Sequence, residues 1–355
     1  MAESKYYDGT KLLSLMDVDG NKPELYICTS NRSAGKTTYF GRLSVKKYLK
    51  DGEKFCLLYR FKYELNQISD KFFKDLANLF FPGWWMRSES RADGIYHELY
   101  IGNEADDPKK GGSSCGYALS INSADQLKKM SHLLSDVKRI IFDEFQSETN
   151  TYCANEVDKF ISIHTSIARG NGEQVRYVPV YMISNPVTLL NPYYVAMNIA
   201  PRLRDDTKFL RGQGFVLEQG YNDVAATAQM ESGFNKAFAT TKQVAYLAQG
   251  VYLNDNKVFI DKPHGRSKYL ATIRCFNKEY GIRMFPEDGV VYCDNRPDNT
   301  FPVKLAVTTD DHNVNYVMLK AYAPFIEQMR YYFDRGCFRF KDLQAKEAIL
   351  QMLSY

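Results

Sequence analysis

The stretch Ser30-Asn31-Arg32-Ser33-Ala34-Gly35-Lys36-Thr37 decides the fold. It follows the apolar run ELYICT (24–29) and opens the helically spaced run GKTTYFGRLSVKKYL (35–49). The phosphate-binding pattern G-x-x-x-x-G-K-[ST] is met at every defined position but the first, where Ser30 replaces glycine. The pattern works because successive backbone N–H groups, aimed by a tight loop and a helix N-terminus, cradle phosphate oxygens. A small residue such as Ser30 still permits that turn. Lys36 then reaches the β- and γ-phosphates, and the Thr37 hydroxyl ligates Mg2+. Ser30, Asn31, Arg32, Ser33, Ala34, Gly35, Lys36, Thr37 and Thr38 are therefore the expected ATP-binding residues, with ATP and Mg2+ as cofactors.

A matching acidic element lies downstream in Ile140-Ile141-Phe142-Asp143-Glu144-Phe145. An apolar strand ending in Asp-Glu reads as Walker B, with Asp143 in the Mg2+ shell and Glu144 placed to polarise an attacking water. The adjacent glutamate favours hydrolysis over phosphoryl transfer to another substrate. Arg169 ends the next helical run, before Gly170-Asn171-Gly172. There it suits an arginine finger that completes a neighbouring subunit's site, or equally an exposed helix-terminal cation. Ser184 and Asn185, at the end of the strand VYMIS, are placed to sense a γ-phosphate.

Around these motifs, strands and helices alternate over the first 200 residues, the pattern of a parallel α/β sheet. The expected strands include KFCLLYR (54–60), IYHELYIG (95–102), YALSIN (117–122), VKRIIFDEF (137–145) and VRYVPVYMIS (175–184). Residues 201–245 read as a helical linker. From 246 to 355 the chain turns β-rich, with a hairpin signal at Glu287-Asp288-Gly289 and closing helices at 313–332 and 341–354. The expected organisation is thus an ATPase domain over 1–200, a linker over 201–245 and an α+β domain over 246–355.

Composition bounds the rest. The 355 residues are 45% hydrophobic and 25% charged, with a net charge of +4. No apolar run approaches the roughly 18 residues of a membrane span, and MAESKYYDGT at the N-terminus lacks a secretory layout. Seven scattered cysteines without a CxxC pair argue against a disulfide framework or zinc ribbon, so a reducing cytoplasm is expected. Nucleic-acid contact rests on weaker signals. Lys128 and Lys129 lie in a polar loop ahead of Walker B, where paired lysines hold DNA phosphates or form a solvated surface pair. The stretch 257–283 carries seven basic side chains against two acidic, interleaved with Tyr269, Phe276 and Tyr280. It reads as a nucleic-acid face or a solvated sheet face.

These motifs taken together resemble the DNA-packaging ATPases of small tailed phages of the phi29 type. The resemblance rests on SNRSAGKT, IIFDEF, Asn155-Glu156-Val157 and ISNPVTLLNPYY (183–194). Shorter matches are NKVFID (256–261), Thr308-Thr309-Asp310-Asp311 and GCFRF (336–340). It implies a P-loop domain of the additional-strand, conserved-glutamate class (ASCE, RecA/FtsK-like), a helical linker and an RNase H-like C-terminal domain. It implies a homo-oligomeric ring, a pentamer, docked on the portal of a procapsid in the host cytoplasm and driving double-stranded viral DNA inward without a membrane. Carried over by position, Lys36 and Thr37 are the Walker A pair, Asp143 and Glu144 the Walker B pair, and Arg169 the trans-acting finger. Arg32 matches an arginine near the phosphates, and Lys129 falls near a channel-loop lysine. Some relatives place a phage-encoded structural RNA between motor and capsid, a partner left open for this chain. The departures are Ser30 and a longer segment before the loop, which leaves the adenine contacts unassigned. The acidic residues of 246–355 lie mostly in turn contexts, so a nuclease-like fold without nuclease activity is expected. Two alternatives stand beside the translocase: a terminase-type ATPase with a live nuclease, and a nucleic-acid-binding portal component whose ATP site only regulates.

Overall fold

The computed structural model describes residues 6–148, 151–169, 172–188, 191–199, 202–203, 207–237, 263, 265–341 and 343–354. The chain divides into two compact units. The first is built on a nine-stranded sheet. Its strands are β1 (Leu25–Thr29), β2 (Lys54–Tyr59), β3 (Trp84–Arg91), β4 (Tyr96–Asn103) and β5 (Ser113–Ser120). They continue with β6 (Val137–Asp143), β7 (Val180–Ser184), β8 (Phe209–Gly212) and β9 (Phe215–Gln219). The order across the sheet is β3-β4-β5-β2-β6-β7-β1-β9-β8. From β5 to β9 the neighbours run parallel, and antiparallel ribbons close both edges. The additional strand of the expected class is β7, inserted between the P-loop strand β1 and the Walker B strand β6.

The central strands are short apolar runs buried on both faces, as parallel strands with helical crossovers require. On one face, Phe40 and Val45 of the helix Lys36–Asp51 and Ile68, Phe72, Phe73 and Leu76 of the helix Ile68–Phe80 join one core with Tyr26, Cys28, Phe55, Leu57, Ile141, Tyr181 and Ile183. Phe40 stacks on Tyr181 with ring centroids 4.8 Å apart. Phe160, from the helix Glu156–Ala168, packs on Phe142 with ring centroids 5.7 Å apart.

The second unit carries β10 (Lys268–Cys275), β11 (Lys278–Phe285), β12 (Val290–Asp294), β13 (Lys304–Ala306), β14 (Val317–Met318) and β15 (Phe338–Phe340), in the order β14-β13-β10-β11-β12-β15. The first three form an antiparallel meander, and β13 and β14 add in parallel beside β10. The second sheet is therefore mixed, with β15 parallel to β12 at its other edge. The helix Leu343–Leu353 contacts β10, β12 and β15 and buries Ala345, Ala348, Ile349 and Met352.

Several expectations are corrected. Residues 201–245 are not wholly a helical linker, because β8 and β9 form a hairpin that extends the first sheet beside β1. The turn that joins them holds Gly214 at φ 73°. Helices follow only at Asp223–Glu231 and Gly233–Ala237. The described residues between Val187 and Leu203 group with the second unit, inside the span expected for the first domain. The helix expected over 313–332 starts at Ala323, after a 3-10 turn over Leu319–Tyr322, and Pro324, which lacks an N–H, sits in its first turn. Strand β3 was not expected, and VRYVPVYMIS forms a strand only from Val180. The polar loop around Lys128 and Lys129 is instead a pair of short helical turns, Ala124–Leu127 and Lys128–Leu134. The motif NKVFID and residues 238–245 lie outside the described residues.

One contact fixes the sheet tightly enough to test. Gly116 of β5 pairs with Phe55 of β2, and a Cβ at 116 would lie 1.9 Å from the Phe55 carbonyl oxygen. Gly116→Ala should therefore destabilise the first unit by about 1–3 kcal/mol. Both tryptophans, Trp84 and Trp85, lie on β3, so their fluorescence during urea unfolding should report a lower midpoint. An unchanged midpoint would show that β2 and β5 can separate there without cost.

Candidate active site

Parallel register brings three strand ends to one level. Thr29 of β1 pairs with Ser184 of β7, and Asp143 of β6 pairs with Ile183. Residues 30–35 then turn over the end of β1 into the helix that starts at Lys36. Ser33 (φ 62°) and Gly35 (φ 91°) both take the left-handed conformation, which folds the loop into the nest of N–H groups that anion binding needs. Gly35 is required twice, since a side chain there would also approach the Tyr6 ring at 3.1 Å.

Lys36 is 8% exposed. Its Nζ lies within hydrogen-bonding distance of Ser30 O (2.9 Å), Ser30 Oγ (3.1 Å), Asn31 O (3.2 Å) and Asn185 Oδ1 (3.3 Å). Burial lowers the ammonium pKa, while the Asp143 and Glu144 carboxylates work against that shift. Thr37 Oγ1 donates to Asp143 Oδ2 at 2.9 Å. Burial pushes the Asp143 carboxyl up to about 6, opposed by that hydrogen bond and raised further by the Glu144 charge. Two hard oxygens at this separation fit neighbouring corners of an octahedron with ligands at about 2.1 Å, the geometry Mg2+ demands. Thr37 and Asp143 would hold that ion, and its charge would favour ionised Asp143.

Glu144 is exposed and sits at φ 53°, a conformation costly for a residue with a Cβ. Its N–H donates to Asp143 Oδ1 at 3.0 Å. The backbone around it is gripped by Arg60, the residue after β2. Arg60 Nη1 donates to Glu144 O (3.3 Å) and Nη2 to Phe145 O (2.7 Å). Its Nε lies 3.0 and 2.9 Å from the two carboxylate oxygens of Glu156, which is 3% exposed. Glu156 also accepts from Cys153 N at 2.7 Å. Sequence reading did not assign Arg60 or give Glu156 a role. The usable signal was a charged residue closing the buried strand KFCLLYR, which has to find a partner.

The remaining expected residues separate into two groups. Ser184 O accepts from Ser30 N at 3.4 Å, and Asn185 contacts Lys36, so the expected sensor residues adjoin the loop. Asn31 and Asn222 exchange hydrogen bonds of 3.1 and 2.9 Å, which ties the loop to the N-cap of the helix Asp223–Glu231. Ser33 Oγ accepts from Gln229 of that helix at 3.2 Å. Ala34 is buried within the loop, Arg32 is exposed, and Thr38 lies half-buried in the first helical turn. Arg169, Lys128 and Lys129 are exposed, and Lys128 faces Asp125 at 3.5 Å. In the basic stretch of the second unit, Arg283 is engaged by Asp294 at 2.6 Å, Tyr280 is buried and Phe276 is exposed; residues 257–262 lie outside the described residues.

A model of the family described as Podovirus DNA encapsidation protein (Gp16) matches residues 1–353. The chain is 25% identical over 324 residues to the DNA packaging protein of Bacillus phage phi29, spanning 91% of this chain and 88% of that protein. It is 23% identical over 295 residues to the DNA packaging protein of Bacillus phage B103, spanning 82% and 84%. Its fold is similar to a chain of the bacteriophage Phi-29 viral genome packaging motor assembly, with a TM-score of 0.52 and 22% identity over 98% of this chain and 100% of that one.

The Arg60–Glu156 pair gives a stability test independent of catalysis. Removing one member of a buried pair strands the other charge, so Arg60→Ala should destabilise the protein by about 3–5 kcal/mol. Adding Glu156→Ala to it should cost much less than the sum of the two single changes. Strictly additive losses in a urea double-mutant cycle would contradict the pairing.

Proposed function

The chain belongs to the Podovirus DNA encapsidation protein (Gp16) family, and from that membership and the site geometry we propose that it is an ATP hydrolase that drives double-stranded viral DNA into a procapsid. The observation that carries this reading is the meeting of Lys36, Thr37, Asp143 and Asn185 at the level ends of three parallel strands, with Glu144 beside them. A passive binding loop has no use for a carboxylate directly after the metal-binding aspartate.

The residues divide the work. The loop N–H groups and Lys36 stabilise negative charge on the β- and γ-phosphate oxygens. Thr37 and Asp143 would hold Mg2+, which would supply further neutralisation of that charge. Glu144, held by Arg60 through its own carbonyl, orients and polarises the attacking water. Ser184 and Asn185 touch both the loop and Lys36, which suits them to report the state of the γ-phosphate. Arg169, exposed at the end of its helix, is available to a neighbouring subunit, and exposed Lys128 and Lys129 are available to DNA phosphates. Subunits then act as a ring, a pentamer, at the portal of the procapsid in the host cytoplasm. A phage-encoded structural RNA is a further partner to test there.

Three described carboxylates of the second unit support a role without nuclease chemistry, because their bonds serve the fold. Asp311, 1% exposed, accepts from Phe276 N and Asn277 N in the left-handed turn between β10 and β11. Asp294 pairs with Arg283, and Asp298 accepts from Thr300 N and Oγ1.

Glu144→Gln should bind ATP with wild-type affinity yet hydrolyse it about a hundredfold or more slowly; comparable turnover would remove Glu144 from the mechanism. Mixing inactive Arg169→Ala and Lys36→Ala subunits should restore part of the hydrolysis, since some interfaces then carry both intact groups. No rescue would place Arg169 outside the neighbouring site.

A further inference from the structure

A cleft of about 250 Å³ opens beside Ser30, on the side of β1 away from β6 and β7. The position is informative. Asp143 and Asn185, which mark the γ-phosphate end of the site proposed above, come from β6 and the end of β7. A nucleotide held on the loop with its terminal phosphate there leaves its other end toward β9, which pairs with β1 up to Thr29–Gln219. The cleft lies at that end of β9.

Its walls suit a ring rather than another phosphate. Among the described residues, Asp8, Glu218 and Asp223 line it against a single cation, Lys208, so a phosphate would meet net negative charge. Tyr6, whose ring abuts Gly35, and Tyr221 are 36% and 51% exposed and supply aromatic surface. Tyr7 N donates to Ala34 O at 2.7 Å, which fixes this wall to the loop. Glu218 is 6% exposed, and its Oε2 accepts from Tyr7 Oη at 2.5 Å. Among the described residues no donor engages its other oxygen, Oε1. Burial raises the Glu218 pKa, while the Tyr7 hydrogen bond and the Lys208 charge favour the ionised acceptor.

Resting on the ATP reading above, we propose that this cleft is the base subsite, with Tyr6 and Tyr221 as ring walls and Glu218 as the acceptor that reads the exocyclic amino group of adenine. A base with a carbonyl at that position would set its oxygen against the carboxylate. Losing one hydrogen bond to a charged group corresponds to about tenfold or more in affinity.

The test is competition binding of ATP, inosine triphosphate and inorganic tripolyphosphate to the full chain with Mg2+. Wild type should prefer ATP over inosine triphosphate by about tenfold. In Glu218→Ala that preference should shrink to about twofold or less, while tripolyphosphate binding stays unchanged. Tyr221→Ala, at an exposed position that should not disturb folding, should weaken both nucleotides alike and leave tripolyphosphate untouched. Equal wild-type affinities for the two nucleotides, or a Glu218→Ala protein that still discriminates, overturns the base subsite and leaves the phosphate site standing. Failure of all three ligands to bind wild type overturns the nucleotide reading itself.

Discussion

The parallel pairing of β6, β7 and β1 is the constraint on which the site depends. Their register sets Asp143, Ser184 and Thr29 at one end of the sheet within a single residue of one another. A slip of one residue would turn every side chain on the moved strand to the other face. Thr37 could not then meet Asp143, nor Lys36 meet Asn185. The register is in turn held by apolar packing, since Ile141, Tyr181, Ile183 and Tyr26 share one core with Phe40 of the P-loop helix. The chemistry of the loop is therefore set by a hydrophobic core several residues behind it.

Buried charge is the second theme. Lys36 and Asp143 are both pushed toward their neutral forms by desolvation, and each is partly restored by the other. Such a site gains more from a polyanion and a divalent cation than a solvated surface would, because charges interact strongly where water is excluded. Arg60 and Glu156 solve a separate problem, fixing the backbone beyond Asp143 where Glu144 takes a strained conformation. The pair acts through geometry, by holding backbone rather than by standing at fixed spacing from a motif residue.

The contrast between what was legible in the sequence and what was not follows from the range of the interactions involved. The loop Ser30–Thr37 and the run Ile140–Phe145 are local, because their chemistry requires particular residues at fixed spacing. The alternation of strands with helices likewise made the parallel sheet readable, including the place of the strand ending at Ser184. Strand β9 was hidden because Phe215-Val216-Leu217 is apolar throughout, with no period to separate it from a helix, and it lies between charged and small-residue stretches. Arg60 was hidden because its partners are Glu144, Phe145 and Glu156, more than eighty residues away. The Glu218 cleft depends on four separate segments, around Tyr6, Ser30, Lys208 and Tyr221, that only the fold assembles.

A net charge of +4 across 355 residues is a weak field for a protein that handles DNA. That suits the translocating ring proposed above, in which each phosphate contact would have to be released as the duplex advances. The account stands or falls on whether hydrolysis at this site moves DNA. The most direct measurement mixes the protein with its procapsids and double-stranded DNA, adds ATP, and counts the DNA that survives nuclease. The account predicts protection that requires ATP and disappears with Lys36→Ala. Protection of the same amount of DNA without ATP, or with Lys36→Ala, would contradict it.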